Sequence, residues 1–313
     1  MAIARHRFRH LISYMLVWYG YYLPYHRGKW RVVNAVIKLF GLQALHRAPV
    51  AVRRRGLWFS LDTRYYLDRS LYYLGTHEGK DTRFVETVIL PGWVVCDVGA
   101  NIGWYTLLAA KLMRGAGWVY AFEPAVEEFE RLQRNLALNG LANVVLQQAA
   151  LSDSSDEVWL TATRDGGTTR LAIYAGEAAR LVPCTTLDSF VRERRLNRLD
   201  LVKVDIEGAE LRFLHGAKNT LRRLRPAMLI EVSADNLANF GATPQEVVAA
   251  LDDLGYSVYR SSWHGLCRLR QLPGPSRFFN LVALPGDSTD EQTVSWDEVR
   301  RWAANRIPCA SKG

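Results

Sequence analysis

Short apolar runs alternate with stretches of helical periodicity from residue 93 to residue 284. The runs are rich in valine, leucine and isoleucine, which is typical of strands buried on both faces of a sheet. We predict seven strands, at residues 93–98, 118–122, 143–147, 200–205, 227–232, 255–260 and 278–284. The stretches between them place apolar residues three and four positions apart, as in helices that pack on a sheet. This alternation predicts an α/β fold with helices on both faces of a mostly parallel sheet.

Two helices after residue 240 carry start signals in the sequence. Thr243 with Glu246, and Ser295 with Glu298, have the spacing of a capping box, in which two side chains satisfy the free N–H groups at a helix start. The second pair predicts a short helix from residue 296 to about residue 305.

The turn after the first predicted strand carries the most informative residues of the chain. Asp97 lies at the end of that strand, and Gly99 and Gly103 follow it in the spacing D-x-G-x-x-x-G. Glycines let the backbone approach a ligand closely at the positive end of a helix. Glu123 ends the next strand, where an acidic side chain accepts hydrogen bonds from ribose hydroxyls. The spacing differs from the dinucleotide pattern G-x-G-x-x-G, and it favours S-adenosylmethionine (SAM) as the cofactor.

These residues belong to a longer series of motifs. In chain order the series is VVCDVGANIGWYTLLAA, VYAFEP, ALSD at 150–153, TTLDSF at 185–190, LVKVDIEGAE at 201–210 and FFNLVALP at 278–285. The series resembles the FkbM-type methyltransferases, a class I SAM-dependent family that acts mainly on hydroxyl groups, over about residues 49 to 286. The resemblance implies a Rossmann-like class I methyltransferase fold with seven strands, the last of them antiparallel.

The resemblance also indicates which residues hold SAM. Those expected around its methionine part are Asp97, Gly99, Asn101 and Gly103. Glu123 would bind the ribose, and Ala150 and Leu151 would lie beside the adenine. The segment before the core ends in a glutamate, Glu78, which we expect to fold over the cofactor. No spacing typical of a metal site is present, so we expect no metal.

Carboxylates at the end of the fourth core strand are the candidates for the chemistry. Open α/β sheets bind ligands at the carboxyl ends of their strands, so Asp205 is expected to line the methyl-transfer site. It could accept the substrate proton, hold the SAM amino group or cap the following helix. Glu207 could serve as base instead, and Lys203 could pair with Asp205 or with Glu231. Glu231, near the end of the fifth strand, is a further candidate on the acceptor side.

The acceptor itself is weakly indicated. Residues 161–175 are polar, contain two glycines and lack strong periodicity, so they predict either a substrate lid or a plain surface loop. Arg170 in this segment would suit an anionic or sugar-bearing acceptor. His264, between two predicted strands, could face the acceptor or stand at a hairpin tip. A glycan, a lipid-linked sugar and a secondary metabolite all remain open as the small-molecule partner.

The charge is concentrated at the amino end of the chain. The net charge is +9, and residues 1–61 contain eleven Lys or Arg and no acid. The rest is nearly neutral, which makes a nucleic-acid partner unlikely in spite of a pI near 9.5. We predict a basic aromatic helical extension at 1–48, continuing into a hairpin, then a methyltransferase domain at 49–286 and a tail at 287–313. Four widely spaced cysteines fit a reducing compartment, and a cytoplasmic location is expected.

Residues 11–25 are uncharged and rich in Trp and Tyr, and basic residues precede them. The run is shorter than the roughly 20 residues needed to span a bilayer. Aromatic rings beside basic residues favour the headgroup zone, so residues 1–41 could bind peripherally at the inner membrane face. Packing on the catalytic domain or contact with a second copy of the chain explains the same pattern equally well.

Two other classes of function compete with a methyltransferase. An NAD(P)-linked oxidoreductase would share the fold, although the glycine spacing disfavours it. A non-catalytic, membrane-associated module could also retain the fold. A binding assay that compares SAM with NADH distinguishes an NAD(P)-linked oxidoreductase from a methyltransferase.

Overall fold

A computed structural model describes residues 2–24, 26, 28–46, 48–162, 169–172, 179–272, 278–286 and 292–306. Its packing divides into two compact units, which are Met1–Gly79 with Ala137–Asn139, and Lys80–Leu136 with Gly140–Gly313. The domain boundaries proposed from the sequence at residues 48 and 286 remain predictions.

The first unit contains helices and one hairpin. In chain order its elements are α1 (Ala2–Val17), a π-helical turn (Trp18–Tyr22), α2 (Lys29–Phe40), a 3₁₀ turn (Leu42–Ala44), β1 (Val50–Arg54), β2 (Leu57–Leu61) and α3 (Tyr66–Leu74). The strands pair antiparallel around Arg55 and Gly56, both of which have positive φ, so the predicted hairpin is confirmed. Within the described residues, every helix is too short or too polar to cross a bilayer.

The second unit alternates strands and helices as the apolar pattern predicts. Its first elements are α4 (Gly79–Val88), β3 (Val94–Val98), α5 (Trp104–Leu112), β4 (Trp118–Phe122), α6 (Val126–Ala137), β5 (Val144–Gln147), β6 (Ala150–Leu151), β7 (Glu157–Ala162), β8 (Thr169–Ala172) and β9 (Arg180–Thr185). They are followed by α7 (Leu187–Glu193), β10 (Leu201–Val204), α8 (Glu210–Gly216), α9 (Lys218–Leu224), β11 (Ala227–Val232), α10 (Ala234–Ala238), α11 (Pro244–Asp253), β12 (Tyr256–Ser261), β13 (Gly265–Arg268), β14 (Phe279–Pro285), β15 (Thr293–Ser295) and α12 (Trp296–Ala304).

The main sheet has the order β15-β13-β12-β14-β11-β10-β3-β4-β5 among the described residues. Strands β3, β4, β5, β10 and β11 are parallel, and β14 runs antiparallel to both of its neighbours. All seven predicted strands are present, and the class I methyltransferase fold with its antiparallel last strand is confirmed. The sheet is wider than predicted by two strands, because the short β13 and β15 extend it beyond β12.

The central strands lie in the middle of the core. All four residues of β10 are buried, and Val202 and Val204 are fully inaccessible to solvent. On one face they join a cluster that includes Phe213 and Leu214 of α8. Burial on both faces explains why these strands read as nearly continuous apolar runs.

A second, four-stranded sheet with the order β6-β9-β7-β8 lies between β5 and β10 along the chain. The prediction of an irregular segment at 161–175 is wrong for its described residues, because β7 and β8 pair antiparallel and place Thr161 opposite Arg170. Strands this short, with glycines between them, show too little alternation for sequence periodicity to detect. The other residues of the segment lie outside the described part, and its role as a lid stays a prediction.

Both predicted capping boxes are confirmed. Thr243 and Glu246 exchange their hydrogen bonds at the start of α11. Ser295 and Glu298 do the same at the start of α12, so the predicted tail helix forms.

Candidate active site

The site lies where the direction of the chain through the sheet changes. From β3 the chain proceeds outward to β4 and β5, and then returns to the other side of β3 as β10. The carboxyl ends of β3 and β10 are therefore adjacent, and Asp97 pairs in register with Lys203. A crevice outside such ends is where open α/β sheets bind ligands. The structure thus brings together the glycine loop and the carboxylates predicted for the chemistry.

Gly99 allows the carboxyl ends of β3 and β10 to lie close together. Its φ is +75°, and a Cβ placed on it would lie 1.8 Å from the carbonyl oxygen of Asp205. Only a residue without a side chain fits between the two strand ends. The loop ends at Gly103, which precedes α5 with a φ of +91°. The two glycines therefore have the conformational and steric roles expected of them.

Glu123 at the end of β4 holds the glycine loop in place. One carboxylate oxygen accepts a hydrogen bond of 2.8 Å from the N–H of Asn101, and the other accepts one of 3.0 Å from the N–H of Ala125. Asn101 has a φ of +49°, and its side chain accepts a hydrogen bond from the N–H of Ile102. Burial raises the pKa of Glu123 to about 7. Each carboxylate oxygen keeps a second lone pair, so Glu123 can still accept a ribose hydroxyl.

Asp97 is almost fully buried beneath the loop. Its Oδ2 accepts a hydrogen bond of 2.5 Å from the hydroxyl of Thr106 on α5. Its Oδ1 has no hydrogen-bond partner in the described part of the chain, and it lies 3.8 Å from the ammonium of Lys203. Burial raises the pKa of Asp97, and the Lys203 charge and the Thr106 hydrogen bond oppose that rise. Asp97 thus connects the end of β3 to α5 and to Lys203.

Lys203 connects the two strand ends. Its Nζ donates to the carbonyl oxygen of Gly99 at 3.0 Å and to Oδ2 of Asp205 at 3.1 Å. Its side chain is 8% exposed, and Nζ lies 5.5 Å from the ring centroid of Tyr105. Asp205 is thus a partner of Lys203, as one of the two alternatives from the sequence suggested. A buried ammonium beside two carboxylates offsets part of their charge.

Three carboxylates converge above this lysine. One oxygen each of Asp205, Glu207 and Glu231 lies within 4.8 Å of the other two. Glu207 has a φ of +56° and accepts a hydrogen bond of 2.6 Å from the side-chain amide of Asn236. Burial raises the pKa of Glu207 to about 7, and the negative charges of Asp205 and Glu210 add to the rise. Such a cluster can hold a cation, whether a metal ion or a positively charged group of a ligand.

The turn between this cluster and α8 is held by Glu210, the first residue of that helix. Glu210 accepts hydrogen bonds from the N–H groups of Ile206 and Gly208, at 3.3 and 3.0 Å. Within the described residues, these backbone groups are therefore satisfied by Glu210 and not by Asp205. Burial raises the pKa of Glu210 to about 7. The side chain of Asp205 is 28% exposed, so it can pair with Lys203 and still contact a ligand in the crevice.

The remaining cofactor candidates are placed as follows. Ala150 packs with Ala125 and Ala209, which follow the ends of β4 and β10. The side chain of Leu151 belongs to the main core and is 1% exposed. Glu78 belongs to the first unit, has a φ of +47° and lies 4.0 Å from the ring of His77. Their contacts with SAM remain predictions.

The two acceptor candidates belong to strands and turns other than those that carry the carboxylate cluster. His264 is exposed in the turn between β12 and β13, as in the hairpin alternative. That turn is at the same edge of the sheet, but three strand spacings from β10, which is about 14 Å. Arg170 lies on β8 of the small sheet, and its side chain is outside the described part. Both remain predictions as substrate-binding residues.

Sequence reasoning missed an asparagine beside the cluster. Asn280 on the antiparallel strand β14 pairs in register with Glu231, and its side-chain amide donates to Oδ2 of Asp81 at 3.0 Å. The signal was available, because an asparagine inside the apolar run FFNLVALP is a buried polar group that requires a partner. Asn236, which binds Glu207, gave no such signal because it lies in a polar segment.

The strand order, the glycine loop and the acidic end of β4 together define a class I SAM-dependent methyltransferase. The family model described as the methyltransferase FkbM domain matches residues 97–258, and the chain belongs to that family. The predicted family and the enzyme class are thereby confirmed, and the NAD(P)-linked alternative is set aside.

Three relatives show the range of similarity. The chain is 31% identical to methyltransferase sdnD of Sordaria araneosa over 53% of this chain and 74% of the relative. It is 30% identical to the 31-O-demethyl-FK506 methyltransferase FkbM of Streptomyces tacrolimicus, over 54% and 74% respectively. It is 27% identical to the hexuronic acid methyltransferase AglP of Haloferax volcanii, over 53% and 64%.

Proposed function

We propose that this chain transfers the methyl group of SAM to a hydroxyl group of a glycan, a lipid-linked sugar or a secondary metabolite. The observation that carries the proposal is the convergence of Asp205, Glu207 and Glu231 at the strand end beside Gly99. Carboxylates at this point can serve both a cationic cofactor and an acceptor that must lose a proton.

The residues present fit SAM. It carries a sulfonium and an ammonium group, and the cluster of three carboxylates beside Lys203 has the complementary charge. We propose that Asp97, Gly99, Asn101 and Gly103 surround the methionine part. Glu123 would accept the ribose hydroxyls through its remaining lone pairs, and Ala150 with Leu151 would border the adenine. When bound, SAM supplies an electrophilic methyl carbon.

Different carboxylates suit different tasks in the transfer. A sugar or alkyl hydroxyl has a pKa far above neutrality, so a base that receives its proton helps the reaction. We assign this role to Glu207, because a pKa of about 7 leaves it both available and basic near neutral pH. Asp205 is paired with Lys203, and we assign it to holding the cofactor amino group and orienting the acceptor. Glu231 would line the acceptor side.

The kind of acceptor is proposed from the relatives. One of them is named for methylation at an oxygen of FK506, and another is named for a hexuronic acid. A hydroxyl-bearing small molecule or sugar is the acceptor common to this range, with Arg170 and His264 as its proposed contacts. A cytoplasmic location, a homo-oligomeric state and the absence of a metal stay predictions.

Calorimetric titration tests the cofactor. Titration of the full chain with SAM, with S-adenosylhomocysteine and with NADH should give binding for the first two alone. Binding of NADH without SAM would contradict the assignment.

Transfer of label from SAM to fractionated lipid, glycan and small-molecule extracts then tests the reaction. Asp205→Ala should abolish transfer, whereas the matched control Asp253→Ala, at an exposed aspartate on α11, should keep it. Full activity of Asp205→Ala would remove this carboxylate from the site.

A further inference from the structure

The first helix and the π-helical turn after it expose a continuous apolar stripe. We call it the N-terminal stripe, and its residues are Phe8, Leu11, Met15, Trp18 and Tyr22. They recur every three or four positions, so they lie on one side of the helix. Each is 55–69% exposed. Soluble proteins rarely expose contiguous apolar surface of this kind without a binding role.

The opposite side of the same helix is already packed. Leu16 is buried, and the hydroxyl of Ser13 lies 3.2 Å from that of Tyr73 on α3. A Cβ on Gly20 would lie 2.1 Å from the carbonyl oxygen of Tyr73, so the turn and α3 are in close backbone contact. The rotation of α1 is therefore fixed within its own unit, and the stripe faces outward because of that packing.

The chain just after the stripe is also held. The ammonium of Lys29 donates hydrogen bonds to the carbonyl oxygens of Leu23 and Pro24. These carbonyls follow the end of the π-helical turn, where helical partners are missing. Lys29 is 2% exposed and is engaged inside the unit, so its charge is not part of the exposed surface beside the stripe.

Charge identifies the kind of surface that fits the stripe. Residues 1–61 contain eleven Lys or Arg and no acid. Arg7 is exposed one turn before Leu11 on the same side of α1, and Arg31 and Lys38 are exposed on α2. A second copy of the chain would bring like charges together, whereas an anionic surface complements them. A nucleic acid offers no apolar environment for aliphatic side chains such as Leu11 and Met15. The headgroup zone of a bilayer, in contrast, accepts apolar and aromatic side chains together.

We propose that the N-terminal stripe docks this chain on a membrane surface that contains anionic lipid. Leu11 and Met15 enter the boundary between headgroups and acyl chains, and Trp18 and Tyr22 lie at headgroup level. Arg7, Arg31 and Lys38 contact the lipid phosphates. The docking does not depend on methyl transfer, and it goes beyond the proposed function.

Vesicle flotation of the full chain tests the docking. The wild-type chain should float with phosphatidylcholine vesicles containing about 30% phosphatidylserine, and about tenfold less with phosphatidylcholine alone. The double variant Leu11→Gln, Trp18→Gln should lose flotation by about tenfold or more. The matched control Trp118→Gln, Leu138→Gln removes a Trp and a Leu that are 47% and 44% exposed elsewhere, and it should float like the wild type.

Three further measurements keep the outcomes distinct. The melting temperature of the double variant should match the wild type, since both residues are exposed, and SAM binding should be unchanged. Equal flotation of the double variant and the wild type would overturn the proposal, as would no flotation of either. Sedimentation velocity that shows a wild-type dimer, lost in the double variant without any flotation, would assign the stripe to contact between two copies instead.

Discussion

Replacement of Lys203 by methionine tests how the charge of the site is balanced. The substitution keeps most of the side-chain volume and removes the buried ammonium. Its Nζ lies 3.1 Å from Oδ2 of Asp205 and 3.8 Å from Oδ1 of Asp97. At an effective dielectric constant of about 20, these separations correspond to attractions of about 5 and about 4 kcal/mol. Because the variant no longer buries an ammonium, the removed desolvation penalty offsets part of these lost attractions. We therefore expect the unfolding free energy to fall by about 3 to 5 kcal/mol.

The loss should depend on pH in a defined direction. Without Lys203, the charged form of Asp97 loses its compensation, and protonation of this carboxyl relieves the repulsion with Asp205. Burial already raises the pKa of Asp97, so the relief begins at a higher pH than for an ordinary aspartate. The destabilisation should therefore be largest above neutral pH and should shrink as the pH falls.

Calorimetric melting and urea unfolding between about pH 5 and about pH 8 measure this effect. At the higher pH, the midpoint of Lys203→Met should fall by about 10 °C. The control Lys218→Met, at an exposed lysine of α9, should melt like the wild type. The double variant Lys203→Met, Asp97→Asn should recover more than about 1 kcal/mol. A wild-type midpoint for Lys203→Met, or no recovery in the double variant, would refute the charge argument.

Four other outcomes are expected. Glu207→Gln should lower kcat and remove the rise in activity with pH through about 7, because the base form of Glu207 predominates only above its pKa; an unchanged pH profile would assign the base elsewhere. Burial raises the pKa of Glu210 from 4.5 to about 7, so this group costs the fold increasing stability as the pH rises from about 4.5 to about 7, and the cost is constant above that range; Glu210→Gln should therefore gain stability over the wild type at about pH 8 and not at about pH 4. Gly99→Ala should weaken SAM binding by at least about tenfold by calorimetry, because its Cβ meets the Asp205 carbonyl, whereas Gly115→Ala, with a similar φ and open space around it, should bind SAM normally. Chelation with EDTA should leave methyl transfer unchanged, and loss of activity restored by a divalent cation would show that the carboxylate cluster holds a metal.

The sequence predicts the core strands well for a physical reason. Strands buried on both faces must be apolar throughout, so runs such as residues 200–205 are distinct against polar helices and turns. Capping boxes are equally local, and both were found where expected. The small sheet was missed because β6 and β8 are too short to show an alternating pattern. Strand β6 pairs with β9, and β8 pairs with β7, which in turn pairs with β9. Sequence periodicity does not detect such pairing between strands.

For the site, the sequence predicts which residues meet, and the structure adds how they are connected. Motif order was sufficient to bring Asp97, Gly99 and Asp205 to one edge of the sheet. It could not show that Glu210, and not Asp205, accepts the backbone hydrogen bonds of the turn before α8, because both residues lie in the same short motif. Nor could it show that Asn280 lies beside Glu231, because that neighbourhood depends on the pairing of β14 with β11. Such contacts depend on tertiary register, which local spacing does not contain.

The electrostatics of the site fit a cationic cofactor in a way that stability alone does not explain. Burial raises the pKa of Glu123, Glu207 and Glu210 to about 7, so near neutral pH each of them loses free energy in the folded state relative to an exposed carboxylate. A core selected only for stability would replace such groups by amides of the same shape. A ligand that carries a sulfonium and an ammonium reverses the balance, because it stabilises the charged forms and lowers their pKa. Binding of SAM should then release protons near pH 7 and raise the melting temperature, which links the unfavourable charge of the fold to its function.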